Sequence, residues 1–91
     1  MISLTYTLEV REEIKKKFEK IRKRDPAQEQ AIKKKIAQIL ENPERFKPLH
    51  APMQNKRRVH VWGSFVLIYS FKKAENIVII EEYEHHDAIY R

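Results

Sequence analysis

The chain has 91 residues, of which 42% are hydrophobic and 35% are charged. This length holds one small core and this composition is too apolar for disorder, so we expect a single domain over residues 1–91. The absence of cysteine excludes disulfide scaffolds and thiolate metal sites. The longest apolar runs, Phe65 to Tyr69 and Ile77 to Ile80, are far shorter than the ~20 residues that span a bilayer. We therefore expect a cytoplasmic protein with no membrane partner.

The charge distribution indicates a polyanion as the partner. The net charge is +6, and 16 of the 19 basic residues lie in residues 1–62. Residues 46–62 contain no acidic residue and four basic ones: Lys47, Lys56, Arg57 and Arg58. The phosphates of a nucleic acid could lie along this stretch without repulsion. The lysine runs of the predicted helices are interpreted instead as solvated surface.

The first strand and the first helix are predicted from a change in the spacing of apolar residues. Residues 2–7 alternate apolar and polar side chains, which predicts a half-buried strand. From Val10 to Ile21 the apolar residues recur at helical spacing, which predicts a helix beginning at Val10.

A second helix is predicted directly after the first. Asp25 is a suitable N-cap, Pro26 fits the first helical position, and Gln28 has the spacing of a capping-box partner. Asn42 and Pro43 end this helix. The short connection predicts an antiparallel helical hairpin.

The period then returns to that of a strand. If Val59 and Val61 point into the core, then Arg58, His60 and Trp62 lie in a row on the opposite face.

Two further strands, residues 65–71 and 77–83, are separated by turns at residues 63–64 and 72–76. The element order predicts an α+β fold: an N-terminal strand, the hairpin, and a three-stranded antiparallel meander, in one four-stranded sheet with the helices on one face. The other face is expected to be open to a partner.

Histidine is the residue type that could carry chemistry here. The chain has His50, His60, His85 and His86. If the tail reaches the open face, two imidazoles beside Arg58 could cleave RNA without a metal. One would take the 2′-hydroxyl proton, the other would protonate the 5′-oxygen, and the arginine would stabilise the charged phosphorane. The residues alone leave open that these are ordinary surface histidines.

Neither a metal nor a cofactor is predicted. His85 and His86 would diverge on a strand, and no spaced ligand motif accompanies them. Phe65 could stack on a base or fill the core, and Tyr90 could orient a phosphate or pack on the sheet edge. Which of the two adjacent histidines faces the site depends on the strand register.

Several short motifs follow one another in a characteristic order: Pro48-Leu49, His60-Val61, Val66 to Tyr69, and the tail His86 to Tyr90. Their order resembles the RelE/ParE toxin superfamily, and most closely its YafQ-like RelE branch. The resemblance covers essentially the whole chain. It implies a RelE-like fold and the toxin of a toxin-antitoxin module.

The resemblance also implies an activity, an mRNA interferase that cuts mRNA in the ribosomal A site and inhibits translation. His60 and His86 match active-site histidines of the YafQ-like branch, and His86 is the leading acid or base. Tyr90 matches the terminal aromatic residue, and Arg58 stands where RelE has a lysine. The residues expected to bind RNA are Lys47, Lys56, Arg57, Phe65, His85 and Arg91.

The implied partners are the ribosome, mRNA and a RelB-like antitoxin whose disordered segment wraps the toxin in a hetero-oligomer. Three positions depart from the family pattern. Val66 stands where RelE has a catalytic arginine, Ser64 where YafQ has an aspartate, and Glu82 near a YafQ arginine. Two alternatives therefore stay open: a ParE-like inhibitor of DNA gyrase, and a catalytically weak toxin that mainly binds its antitoxin.

Overall fold

The computed structural model describes residues 6–49 and 55–89. Its elements are β1 (Thr7–Val10), α1 (Glu12–Arg24), α2 (Pro26–Glu41), β2 (Lys56–Trp62), β3 (Phe65–Lys72), β4 (Ile77–His85) and α3 (His86–Ile89). The sheet order is β1-β4-β3-β2, with β1 parallel to β4 and the other pairs antiparallel. The predicted α+β fold, with its hairpin and antiparallel meander, is confirmed. None of the helices described is long and apolar enough to cross a membrane.

The helical hairpin is built on Asp25, the single residue between α1 and α2. Its carboxylate accepts hydrogen bonds from the backbone N–H and the side-chain amide of Gln28, both at 3.2 Å, so Asp25 is the predicted N-cap. The reciprocal bond of a capping box does not form, because the Asp25 N–H already donates to the Ile21 carbonyl at 2.7 Å. Pro26 follows at the first helical position, where no donor is needed.

The start of the chain differs from the prediction. The strand expected at residues 2–7 is found at Thr7–Val10, and residues 1–5 lie outside the described part. The helix expected from Val10 begins at Glu12. Val10 is instead the last residue of β1, paired with Ile80. The Val10 side chain packs on the same core as Ile14. Its position in the sequence therefore matches the apolar spacing of the helix, although Val10 belongs to the strand.

The main core lies between the hairpin and one face of the sheet. Its buried members are Ile14, Ile21, Ile32, Ile39, Val59, Leu67, Tyr69, Val78, Ile80 and Tyr83. The Tyr83 hydroxyl donates to Gln28 Oε1 at 2.6 Å, and the Tyr69 hydroxyl donates to the Pro43 carbonyl at 2.5 Å. Burial raises the pKa of Tyr69 to about 12 and also raises that of Tyr83, so both hydroxyls stay protonated donors at neutral pH.

The opposite face of the sheet is less open than predicted. The segment at residues 47–49 runs beside β2, where the Arg58 N–H donates to the Lys47 carbonyl and the Leu49 N–H donates to the Lys56 carbonyl, at 3.1 and 2.9 Å. This places Leu49 in a second buried cluster with Val66 and Ile68. Because β3 carries apolar side chains on both faces, its second face also requires a cover.

A bulge in β4 positions a buried carboxylate. The register shift between β3 and β4 leaves Glu81 without a partner residue in the ladder. Glu81 is 9% exposed and accepts hydrogen bonds from Arg11 Nε at 2.7 Å and Ser70 Oγ at 2.6 Å. Burial by itself would raise the pKa of Glu81. The two hydrogen bonds, with the charges of Arg11 and Lys56, outweigh burial and hold this pKa below its ordinary value.

We predict that Glu81→Gln lowers the free energy of unfolding by about 1–3 kcal/mol at pH 7, because it weakens a charged hydrogen-bond acceptor that is buried. A lowered folded-state pKa stabilises the protein above the unfolded-state pKa, and this stabilisation is lost as the pH falls through the folded-state value. Urea denaturation should therefore show a smaller difference between variant and wild type at pH 3 than at pH 7. Glu82→Gln, at an exposed carboxyl of the same strand, is the control. An equal Glu81→Gln difference at both pH values would contradict the account.

Candidate active site

Strand β2 and the start of α3 bring His60 and His86 together. His60 pairs with Val66, so it projects from the face on which Val66 packs against Leu49, away from the hairpin. The ring of His86 lies beside it, with 5.8 Å between ring centres and 17° between ring planes. The tail of the chain therefore reaches His60, which the sequence argument required of an acid–base pair.

The register of β4 distinguishes the two adjacent histidines. His85 pairs with Phe65, and its ring meets the Phe65 ring edge-on with 5.7 Å between centres. Phe65 in turn stacks on buried Tyr83 at 5.4 Å and 12°, on the hairpin side of the sheet. The structure thus brings His86 to His60, and places His85 and Phe65 on the other face.

The β2–β3 turn fixes the position of His86. Gly63 has a φ of 56°, in the left-handed region that favours glycine. This turn presents the Ser64 carbonyl, which accepts a hydrogen bond from the His86 N–H at 2.7 Å. This hydrogen bond holds the start of α3 against the hairpin formed by β2 and β3, and β2 carries His60. The distance between the His60 and His86 rings is therefore determined by the backbone.

Asp87 places a carboxylate beside both tail histidines. Its Oδ1 lies 3.7 Å from His86 Nδ1, and its Oδ2 lies 3.9 Å from His85 Nδ1. Both distances exceed the length of a hydrogen bond, so the carboxylate can act on the two imidazoles through its charge. Sequence reasoning missed Asp87, although its place directly after two histidines was a usable signal. Among the described residues, no group of three or more His, Cys, Asp or Glu side chains could hold a metal ion.

A basic depression adjoins the histidine pair. It has a volume of about 430 Å³ and is lined by Arg45, Phe46, Lys47, Arg58, Val59 and His60. Arg58 and His60 are two residues apart on β2 and so lie on one face of the sheet. Sequence reasoning missed Arg45 and Phe46. They reach the site only because the segment that follows them pairs with β2, which no periodicity reveals.

Arg57 faces the other way from Arg58. Its Nη1 donates to the carbonyls of Phe46 and Glu44, at 2.7 and 3.2 Å, and its guanidinium lies over the Phe71 ring with 5.5 Å to the ring centre. Arg57 therefore holds the segment that carries Arg45.

A second depression of about 430 Å³ is lined by carboxylates as well as cations. The acidic members are Glu13, Glu81, Glu82 and Glu84, and the basic ones are Arg11, Lys17 and Lys56. Arg11 is bonded to Glu81 and Lys17 to Glu84. Lys56 thus lies away from the basic depression. His50, Tyr90 and Arg91 lie outside the described residues.

Sequence comparisons point to one family. The family described as "ParE toxin of type II toxin-antitoxin system, parDE" matches residues 4–90. An uncharacterized protein from Methanosarcina mazei is 45% identical over 85 residues, which cover 93% of this chain and 99% of that protein. A Methanocaldococcus jannaschii protein named "Putative toxin RelE4" is 36% identical over 86 residues, which cover 94% of this chain and 92% of that protein.

Solved structures share the fold. The toxin-antitoxin complex RelBE2 from Mycobacterium tuberculosis contains a chain that matches with a TM-score of 0.70 and 20% identity, covering 89% of this chain and 91% of that one. A mutant of the Escherichia coli toxin RelE in the free state matches with a TM-score of 0.73 and 22% identity, covering 92% of this chain and 86% of that one.

The left-handed φ of Gly63 allows a test of whether the β2–β3 turn requires glycine at this position. Gly63→Ala should lower the free energy of unfolding by about 1 kcal/mol, because an L side chain is disfavoured at this φ. A clash contributes nothing, since no heavy atom lies within 4 Å of the added Cβ. Gly63→Asn, which tolerates the left-handed region better, should cost less. Urea denaturation measures both, and two variants as stable as the wild type would refute this role for the turn.

Proposed function

The chain belongs to the ParE toxin family of type II toxin-antitoxin systems, within the RelE/ParE superfamily, and on this premise we propose that it is a ribosome-dependent mRNA endonuclease. The observation that carries the proposal is the His60–His86 pair, with 5.8 Å between ring centres, beside the cation of Arg58. Two imidazoles this close can both reach the oxygens of one phosphodiester, as acid and base catalysis require.

The proposed reaction uses the RNA's own 2′-hydroxyl as the nucleophile. His60 removes the 2′-hydroxyl proton, and the oxygen attacks the adjacent phosphorus. His86 protonates the 5′-oxygen as the P–O bond breaks. Arg58 stabilises the negative charge that develops on the phosphorane. The products are a 2′,3′-cyclic phosphate and a 5′-hydroxyl, so DNA, which lacks the 2′-hydroxyl, is not a substrate.

The remaining assignments rest on residues around this pair. Lys47 lines the basic depression and is proposed to contact a phosphate. Four other candidates do not line that depression, so they contribute to RNA binding only if the RNA extends beyond it. These are Lys56, Arg57, Phe65 and His85. Tyr90 keeps the role that the family resemblance implies, and Arg91 stays a candidate for RNA binding; both lie outside the described residues.

An antitoxin partner follows from membership of a toxin-antitoxin family. We expect a RelB-like chain with a segment that is disordered alone and becomes ordered on the toxin. Its acidic residues would match the +6 charge of this chain. The assembly would be a toxin-antitoxin hetero-oligomer, in which the antitoxin blocks access to ribosome and mRNA.

We predict that His86→Ala slows single-turnover cleavage of mRNA on programmed ribosomes by about 10²-fold or more, the usual contribution of an acid or base. His85→Ala removes the neighbouring ring from the opposite face and should cost less than tenfold. The measurement maps mRNA ends with a defined A-site codon, with and without ribosomes. Cleavage at the wild-type rate by His86→Ala would remove His86 from the mechanism.

A second function, inhibition of DNA gyrase, is favoured by the match to a family described as ParE toxin and by Val66 at the place of the RelE arginine. It predicts that the protein blocks supercoiling by purified gyrase and that His86→Ala blocks it equally well. Supercoiling inhibition without RNA cleavage would establish this function in place of the first. A protein with neither activity that still binds its antitoxin would be the catalytically weak toxin.

A further inference from the structure

Both imidazoles of the histidine pair are open to water. His60 is an exposed residue of β2, and the His86 side chain is 44% exposed at the start of α3. Their rings lie nearly parallel, with 5.8 Å between ring centres, and Arg58 shares the face of β2 from which His60 projects. A water molecule can therefore reach either ring in the presence of the same cation.

The proposed cleavage leaves both imidazoles in the protonation states opposite to those in which it began. His60 has taken the 2′-hydroxyl proton and is charged, while His86 has given its proton to the 5′-oxygen and is neutral. The cut strand ends in a 2′,3′-cyclic phosphate with one negative charge. The reverse of the cleavage needs a neutral His86 as base and a charged His60 as acid, which is the state in which the pair is left.

Water can replace the departed 5′-hydroxyl in this reverse reaction. His86 removes a proton from the water molecule, and the water oxygen attacks phosphorus. The bond between phosphorus and the 2′-oxygen breaks, and His60 protonates that oxygen. The bond to the 3′-oxygen stays intact, so the product is a 3′-phosphomonoester with a 2′-hydroxyl. Both histidines are then back in the states from which cleavage starts.

We propose that the His60–His86 pair also hydrolyses 2′,3′-cyclic phosphodiesters to 3′-phosphomonoesters. The inference rests on the proposed endonuclease function and adds a second reaction at the same two side chains. Hydrolysis should be slower than cleavage, because water is not held beside phosphorus as the 2′-hydroxyl of the same nucleotide is. The cyclic phosphate is therefore the product that accumulates first.

Hydrolysis should not require the ribosome. To cleave mRNA, the 2′-hydroxyl must be brought into line with the departing 5′-oxygen, an orientation that a flexible single strand seldom adopts by itself. In a 2′,3′-cyclic phosphate, the five-membered ring already holds phosphorus against the 2′-oxygen. A free cyclic nucleotide can thus report on the histidine pair without any contribution from the ribosome.

The test substrate is cytidine 2′,3′-cyclic phosphate, incubated with the purified protein in EDTA and without ribosomes. Phosphorus NMR distinguishes the substrate from cytidine 3′-monophosphate and from the 2′-monophosphate. The wild type is compared with His60→Ala and His86→Ala. His85→Ala is the matched control, because the His85 ring meets Phe65 on the other face of the sheet. Thermal denaturation verifies that all four proteins, purified identically, are folded.

The wild type should form the 3′-monophosphate alone, since His60 protonates only the 2′-oxygen. His60→Ala and His86→Ala should each lower kcat/KM by about 10²-fold or more, and His85→Ala by less than about tenfold. The wild-type rate should fall on both the acid and the alkaline side of an optimum, because the step needs one charged and one neutral imidazole. Formation of the 2′-monophosphate, or a wild-type rate no higher than that of His86→Ala, would overturn the proposal.

The two proposals can fail separately. Cleavage of mRNA on ribosomes that depends on His86, without hydrolysis of the cyclic nucleotide, would retain the endonuclease and reject the second reaction. Hydrolysis that depends on both histidines, without cleavage on ribosomes, would retain the second reaction and reject the ribosome-dependent endonuclease.

Discussion

Strand β3 is buried on both faces, and this determines how the chain must run between α2 and β2. Leu67 and Tyr69 pack toward the helical hairpin, while Val66 and Ile68 pack toward the opposite side, and each of the four is at most 1% exposed. A hairpin covers one face only, so the chain must return between α2 and β2 to place Leu49 on the other. Each buried side chain of this size contributes ~1.5–3 kcal/mol, so the two-sided packing is a large share of the stability of a small domain.

The candidate active site is a consequence of that cover. The segment that carries Leu49 also carries Arg45 and Lys47, and its hydrogen bonds to β2 bring these cations beside Arg58 and His60. The same packing thus stabilises the second face and forms the basic wall of the site. The carboxylates of β4 lie on the other side of β3, where Arg11, Lys17 and Lys56 accompany them.

Much of this was predictable from the sequence. The Asp25-Pro26 junction predicted the hairpin, and the turns at residues 63–64 and 72–76 predicted β3 and β4 between them. Two-residue periodicity predicted the row of Arg58 and His60. The errors arose where tertiary pairing overrides a local pattern. Val10 continues a helical stripe in sequence but pairs with Ile80 as a strand residue.

Other features required three-dimensional information. The bulge at Glu81 leaves no trace in a hydropathy pattern, because the surrounding residues keep a strand composition. The choice between His85 and His86 depended on a one-residue register, which reverses the face of each side chain. The place of Arg45 and Phe46 in the site could not be predicted, because backbone hydrogen bonds of the residues that follow them bring this segment to β2.

The chemical groups at the two new ends of the cut RNA show whether the 2′-hydroxyl is the nucleophile. Mass spectrometry of the fragments released from mRNA on programmed ribosomes identifies both new ends. Attack by the 2′-hydroxyl with histidine acid–base catalysis predicts a 2′,3′-cyclic phosphate and a 5′-hydroxyl, and no product when the 2′-hydroxyl at the cut is replaced by hydrogen. A 3′-hydroxyl with a 5′-phosphate, or cleavage of the 2′-deoxy substrate, would contradict the account.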